Sequence, residues 1–96
     1  MQVRYLSPAE WEMVQASRYY EAQVPNLRYD FLSENYRAVK TIEDDPEASP
    51  NIKGSIRRRI IRRFPYAILY QIDPSDIVIL AIMHQHRDPD YWHGRK

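Results

Sequence analysis

The sequence predicts an α+β fold: an N-terminal strand, then an antiparallel helical hairpin packed on a mostly antiparallel sheet of three to four strands, in the order β-α-α-β-β-β. Three observations carry this expectation. Apolar residues at helical spacing fill the first half of the chain, up to an acidic stretch that ends in a proline. Three β-rich runs separated by turn signals fill the second half. With 96 residues the chain makes one domain, spanning 1–96, and leaves no space for a second.

Residues 3–6 are extended and join the sheet as an additional strand. Ser7 is placed to cap a helix, and Pro8 suits the first helical position because its missing N–H has no partner there anyway. Ala9, Met13, Ala16, Tyr20 and Val24 then recur on one helical face, until Pro25-Asn26 breaks the pattern. Leu27, Phe31, Ala38 and Ile42, with Val39 beside them, mark a second helix that the acidic stretch and Pro46 end. So short a break makes the two helices antiparallel. Their aromatic content (Trp11, Tyr19, Tyr20, Tyr29, Phe31, Tyr36) exceeds what one buried stripe needs. Most of these rings are expected in the core or on its flank, with some left to form a groove for a partner helix.

Residues 43–55 read as a loop. Residues 56–64, 66–72 and 77–84 follow as strands, separated by Pro65 and by the turn signal Asp73-Pro74-Ser75-Asp76, and pair as a meander. The third run is apolar on both faces, which places it centrally. The tail, residues 85–96, is polar, aromatic and basic, with one helical turn expected after Pro89.

An apolar share of 44% and a charged share of 28% describe a folding chain rather than a disordered one. No run of 18 apolar residues exists and the N-terminus enters a strand pattern at once, so neither a membrane span nor a signal peptide is expected. The absence of cysteine excludes a disulfide framework and a thiolate metal site, and fits a reducing cytoplasm. A net charge of +1 hides a separation of sign. Glu43, Asp44, Asp45 and Glu47 form an acidic stretch, and Lys53, Arg57, Arg58, Arg59, Arg62 and Arg63 follow with no acid among them.

As a strand, residues 56–64 put Ile56, Arg58, Ile60, Arg62 and Phe64 on one face and Arg57, Arg59, Ile61 and Arg63 on the other. Neither face is cleanly apolar, so this strand lies at an edge or has one face in water. Its arginines either deter edge pairing and meet acids of the helices, or contact phosphate or an acidic partner through their forked guanidinium groups.

A second cluster runs from His84 through His86, Arg87, Asp88, Asp90, Tyr91 and Trp92 to His93. Two histidines fall short of a metal site, which needs three or four ligands and a second layer of support. No metal and no cofactor are expected. A metal-free ribonuclease site is conceivable, with His84 or His86 as acid or base, Arg87 steadying charge on the phosphorane and Tyr91 orienting a base. The plain alternative is structural: Arg87 pairs with Asp88 while Tyr91 and Trp92 pack the tail onto the sheet.

Taken together, these pieces resemble the ParE/RelE superfamily, the toxins of bacterial type II toxin–antitoxin pairs. The resemblance is carried by Pro8-Ala9-Glu10, Tyr19-Tyr20-Glu21, Phe31-Leu32, Arg62-Arg63-Phe64-Pro65-Tyr66, Tyr70, and His84-Gln85-His86-Arg87-Asp88-Pro89 with Tyr91-Trp92. It implies a helical hairpin on an antiparallel sheet, a cytoplasmic protein, and a cognate antitoxin whose C-terminal segment wraps over the toxin. RelE-like members cut mRNA on the ribosome. ParE-like members bind DNA gyrase and block replication without being nucleases.

In RelE-like ribonucleases an arginine follows the aromatic matched by Tyr66, and a second basic residue stands on the last strand. Here those positions are Ala67 and Gln85. The chain therefore looks closer to the ParE branch, with DNA gyrase as target and no catalytic residue. Charge and exposure arguments nominate Arg58, Arg62, Arg63, Arg87 and Trp92 for target binding. Under the RelE-like alternative the partners are ribosome and mRNA, and His84, His86, Arg87 and Tyr91 form the site. A third reading is a decayed toxin that binds only its antitoxin. None of the three calls for a membrane or a small-molecule substrate.

Overall fold

Seven elements follow one another in the computed structural model, which describes residues 1–95: β1 Gln2–Tyr5, α1 Ser7–Gln23, α2 Leu27–Asp44, β2 Asn51–Lys53, β3 Ile56–Ile60, β4 Tyr66–Ile72 and β5 Asp76–His84. They form one sheet in the order β1-β5-β4-β3-β2, with the helical hairpin on one face. β1 runs parallel to β5, and the other neighbours are antiparallel.

The hairpin closes as its sequence suggests, by different chemistry. Ser7 is the first residue of α1 rather than its cap, and Leu6 precedes the helix without a side-chain cap. Asn26 turns the chain in the left-handed conformation, φ 73°, which asparagine tolerates better than most residues. The Glu21 carboxylate then accepts from the backbone N–H groups of Asn26 at 3.1 Å and Arg28 at 3.4 Å. The last turn of α1 thus supplies the negative charge that the N-terminus of α2 favours.

Two apolar layers sandwich the sheet. Ala9, Ala16, Phe31, Ala38 and Ile42 of the hairpin meet Ile68, Tyr70, Ile77, Ile79 and Ile82. On the far face Ile56, Leu69, Val78, Leu80, Ala81 and Met83 are covered by Trp92 from the tail. Both layers need β5 buried on both faces, as its composition implies. Its register with β4 slips between Leu69 and Tyr70, so Leu80 lies opposite no β4 residue. This bulge puts Leu80 and Ala81 on the same side and returns Ile82 to the helix side.

Three details differ from the sequence reading. The loop at 43–55 contains β2, so the sheet has five strands instead of three to four; its three residues are all exposed and carry no apolar alternation to betray it. The strand expected to reach residue 64 ends at Ile60, because Arg63 adopts φ 71° and turns the chain. Ile61 and Phe64 consequently both enter the helix-side core. Where one helical turn is expected after Pro89 the tail forms three successive turns, each closed by a hydrogen bond across three residues, and Lys96 lies outside the described residues.

Candidate functional site

Beside β5 the tail is clamped to α1 by an ion pair that spans almost the whole chain. Arg95 donates to both oxygens of Glu12, at 2.9 and 3.0 Å, and to the Leu80 carbonyl at 2.9 Å. Glu12 Oε1 also accepts the Ile82 N–H at 3.1 Å. The reason lies in the sheet. β1 pairs with β5 only through Ile79, and Leu6 N–H takes the Ile79 carbonyl, so the β5 edge beyond this point has no neighbouring strand. Glu12 and Arg95 satisfy that edge in its place. Their side chains are 9% and 17% exposed, and the hydrogen bonds to Glu12 raise the Arg95 pKa further.

The four residues of the ribonuclease alternative gather near this clamp. His84, Arg87 and Tyr91 line a cleft of about 210 Å³ together with Trp11, Glu12 and Tyr66. His86 packs edge-on against His84, with ring centroids 5.3 Å apart, and its backbone N–H donates to His84 Nδ1 at 3.1 Å. The Arg87 guanidinium lies 4.0 Å from the centre of the Tyr91 ring, and Arg95 lies 4.8 Å from it. The Tyr91 hydroxyl is buried beside the Glu12 carboxylate without a well-formed hydrogen bond. Burial first, and the nearby Glu12 carboxylate second, push its pKa above the usual phenol range; Arg95 and Arg87 oppose this only in part. Such a phenol stays neutral at physiological pH, and ionising it costs more than ionising an exposed one.

At the other end of the sheet the basic run divides. Arg57 gives Nη1 to the carbonyls of Glu47 at 2.9 Å and Ser49 at 2.7 Å, tying down the acidic loop. Arg63 faces Asp30 and Glu34 of α2, at 3.5 and 4.0 Å. Among the described residues the side chains of Arg58, Arg59 and Arg62 make no hydrogen bond or ion pair, and neither does that of Arg37 of α2. The latter three border a cleft of about 210 Å³, and Arg58, Arg59 and Arg62 border a second of about 380 Å³ beside Ser49 and Pro50. Ile60 stands on the ridge between the two clefts and is 60% exposed.

The five residues nominated for target binding therefore do not share a surface. Arg58 and Arg62 lie together, Arg63 is engaged by acids of α2, and Arg87 stacks on Tyr91 beside β5. Trp92, whose nomination for target binding requires exposure, is 4% exposed and belongs to the core of the far face, as the alternative in which it packs the tail onto the sheet has it. Arg87 does not pair with Asp88, whose carboxylate caps the Asp90 N–H instead.

A family model described as the ParE toxin of type II toxin–antitoxin system, parDE, matches residues 3–89. The chain belongs to this ParE toxin family. Its fold is similar to a solved chain of the chromosomal ParDE toxin–antitoxin system from P. aeruginosa, with a TM-score of 0.78 at 16% identity over 88% of this chain and 95% of that one. No curated protein matches the chain. As a ParE-family toxin it belongs to a two-component system, and that implies a cognate antitoxin. No helix among the described residues is long and apolar enough to cross a membrane.

One further surface of this ParE-family chain corrects the sequence reading. Of the six hairpin aromatics only Phe31 is buried and Tyr20 half-buried; Trp11, Tyr19, Tyr29 and Tyr36 are each more than half exposed. Val14, Tyr29, Leu32 and the Arg18 and Arg28 side chains line an open groove of about 630 Å³ along the outer side of the hairpin. Sequence reasoning also missed Glu12, Arg95, Arg37 and Ile60. Helical spacing could have flagged Arg37, which shares a face with Glu34, Ala38 and Thr41. Nothing local marks Glu12 and Arg95, which are 83 positions apart.

Proposed function

We propose that this chain is a toxin that inhibits DNA gyrase, and thereby replication, by binding rather than by catalysis, and that a cognate antitoxin neutralises it in the cytoplasm. The observation that carries the choice is the contrast between its two clusters. The arginines around Ile60 are free for a partner, whereas the hydroxyl of Tyr91, one of the four residues a nuclease would use, is buried with a raised pKa and its ring is covered by Arg87 and Arg95. Of the residues nominated for target binding, Arg58 and Arg62 border this surface. Membership of the ParE toxin family supports the same direction. The exposed rings and groove of the hairpin suit an antitoxin helix that lays its apolar face between α1 and α2.

One observation favours a second reading. His84, Arg87 and Tyr91 do line a single cleft, with Tyr66 and its pKa, raised by burial, beside them. Under that reading the chain is a ribosome-dependent mRNA endonuclease. Pulse-labelling in the minutes after tightly controlled induction separates the two. An early fall in thymidine incorporation with methionine incorporation sustained is the expected outcome. Early collapse of methionine incorporation rejects the gyrase reading in favour of the ribonuclease.

A further inference from the structure

From the unpaired arginines at the end of β3 we infer that Arg37, Arg58, Arg59 and Arg62 form, around Ile60, a docking ridge for an acidic, extended peptide segment of the target protein. This rests on the reading of the chain as an inhibitor that works by binding a protein.

Three independent observations fix the class of ligand. The first is charge. Arg37, Arg59 and Arg62 border one cleft and Arg58, Arg59 and Arg62 the other, and their side chains have no partner among the described residues, although Asp44, Asp45 and Glu47 are exposed. Unpaired arginines repel one another, and an incoming carboxylate relieves that repulsion while matching the guanidinium fork. The second is the apolar centre. Ile60 is 60% exposed between clefts of about 210 and 380 Å³, each the size of a few side chains rather than of a cofactor. A phosphate backbone has nothing to place on an isoleucine; a peptide with an apolar residue between its acids does.

The third is the sheet edge. β2 pairs with β3 at Ile56 and Arg57, and the Arg58 N–H goes to the Pro50 carbonyl. Past this point no strand among the described residues lies beside β3 on this side, so an extended segment can meet the backbone at Ile60 while its side chains alternate between the two clefts. The setting also disfavours nucleic acid. Glu34 borders one cleft and the acidic stretch 43–47 precedes the loop that borders the other, so a long polyanion leaving the ridge meets like charge within a short distance. A short acidic segment does not.

The test uses the full chain, a labelled peptide of glutamates around a central leucine, its lysine counterpart, and purified DNA gyrase in a supercoiling assay. The acidic peptide is expected to bind and the lysine peptide not to bind. Affinity should drop at least tenfold in the Arg59→Glu/Arg62→Glu variant and severalfold in Ile60→Ser, and fall as salt rises. The same variants should lose inhibition of supercoiling in proportion, with unchanged circular dichroism. Arg59→Gln/Arg62→Gln guards against misfolding of the charge reversal and should be weakened in the same order. Wild-type inhibition retained by folded variants overturns the ridge while leaving gyrase as target. A wild-type chain that does not inhibit gyrase rejects the functional reading and the ridge with it. Displacement of the peptide by duplex DNA at matched charge overturns the assignment to an acidic protein segment.

Discussion

At the β5 end of the sheet Arg95 gives both ends of its guanidinium to Glu12 and a third bond to Leu80, while at the β3 end Arg58, Arg59 and Arg62 give theirs to nothing among the described residues. The two regions are built from the same residue type on the same sheet. They differ in what the backbone needs. β5 continues past its partner β1, and its bulge leaves Leu80 opposite no β4 residue, so the tail must bring polar groups to it. β3 stops at Ile60 and a turn at Arg63 follows, so beyond Arg57, which holds two carbonyls of the acidic loop, the arginine side chains at this end have no backbone task. Charge is therefore bound where the fold has a deficit and left free where it has none, and only the free set can serve a partner.

The strongest way to break this contrast is Arg95→Ala. It leaves the Glu12 carboxylate, 9% exposed, without its cation, and uncompensated buried charge costs about 3–5 kcal/mol. Urea denaturation should show a loss of that order, together with release of Trp92 from the far-face core, visible in its fluorescence. Removing both partners, Glu12→Met with Arg95→Met, should cost less than the single change, because no orphan charge remains. Equal or larger loss in the double variant would mean that Glu12 matters chiefly for the Ile82 N–H.

Next in size is a comparison within β3 itself. Arg57 holds two carbonyls of the acidic loop and Arg58, its neighbour, holds none. Arg57→Ala should cost about 1.5–3 kcal/mol, as hydrogen bonds from a charged group do, and Arg58→Ala should stay within about 0.5 kcal/mol. Thermal unfolding of the two variants side by side reads the difference. Similar losses would show that the free and engaged arginines are not distinct.

How far this contrast could be read in advance depends on whether the signal was local. The helical hairpin, the doubly buried β5 and the arginine run were legible because periodicity and composition carry them within a few residues. β2 was not, since Asn51-Ile52-Lys53 is held by its pairing with β3 and not by a face of its own. The end of β3 was missed because a left-handed residue at Arg63 carries no mark when it is not glycine or asparagine. Trp92 carries two readings in the sequence, a target contact and a ring that packs the tail onto the sheet, and polar neighbours give no local sign that the second holds. The hairpin aromatics erred towards burial. Apolar character says that a ring will be covered, not whether by its own chain or by another.

Tyr91→Phe probes the clamp more gently. It removes a buried hydroxyl that lacks a good hydrogen bond, so stability at neutral pH should change by less than about 1 kcal/mol in either direction. The pH dependence is more telling. Tyr91 has a folded-state pKa raised above the usual 10.0, so its neutral form contributes stability that is fully present below pH 10 and lost as pH rises towards the folded value. Above pH 10 wild type should lose stability more steeply than Tyr91→Phe. Parallel curves would remove Tyr91 as a buried, coupled group and return it to the candidates for chemistry.

The smallest expected effect concerns the ridge, and its sign carries the information. Neighbouring cations held without counter-ions repel, so neutralising one of them, as in Arg59→Gln, should stabilise the fold by a few tenths of about 1 kcal/mol at low salt. Raising ionic strength to about 1 M shortens the Debye length to about 3 Å and should erase that gain. An arginine that served the fold would behave in the opposite way, losing stability on neutralisation at every salt concentration. Denaturation of Arg59→Gln at the two ionic strengths therefore asks whether the ridge is held at a cost to the free chain, which is the condition for a surface kept for someone else.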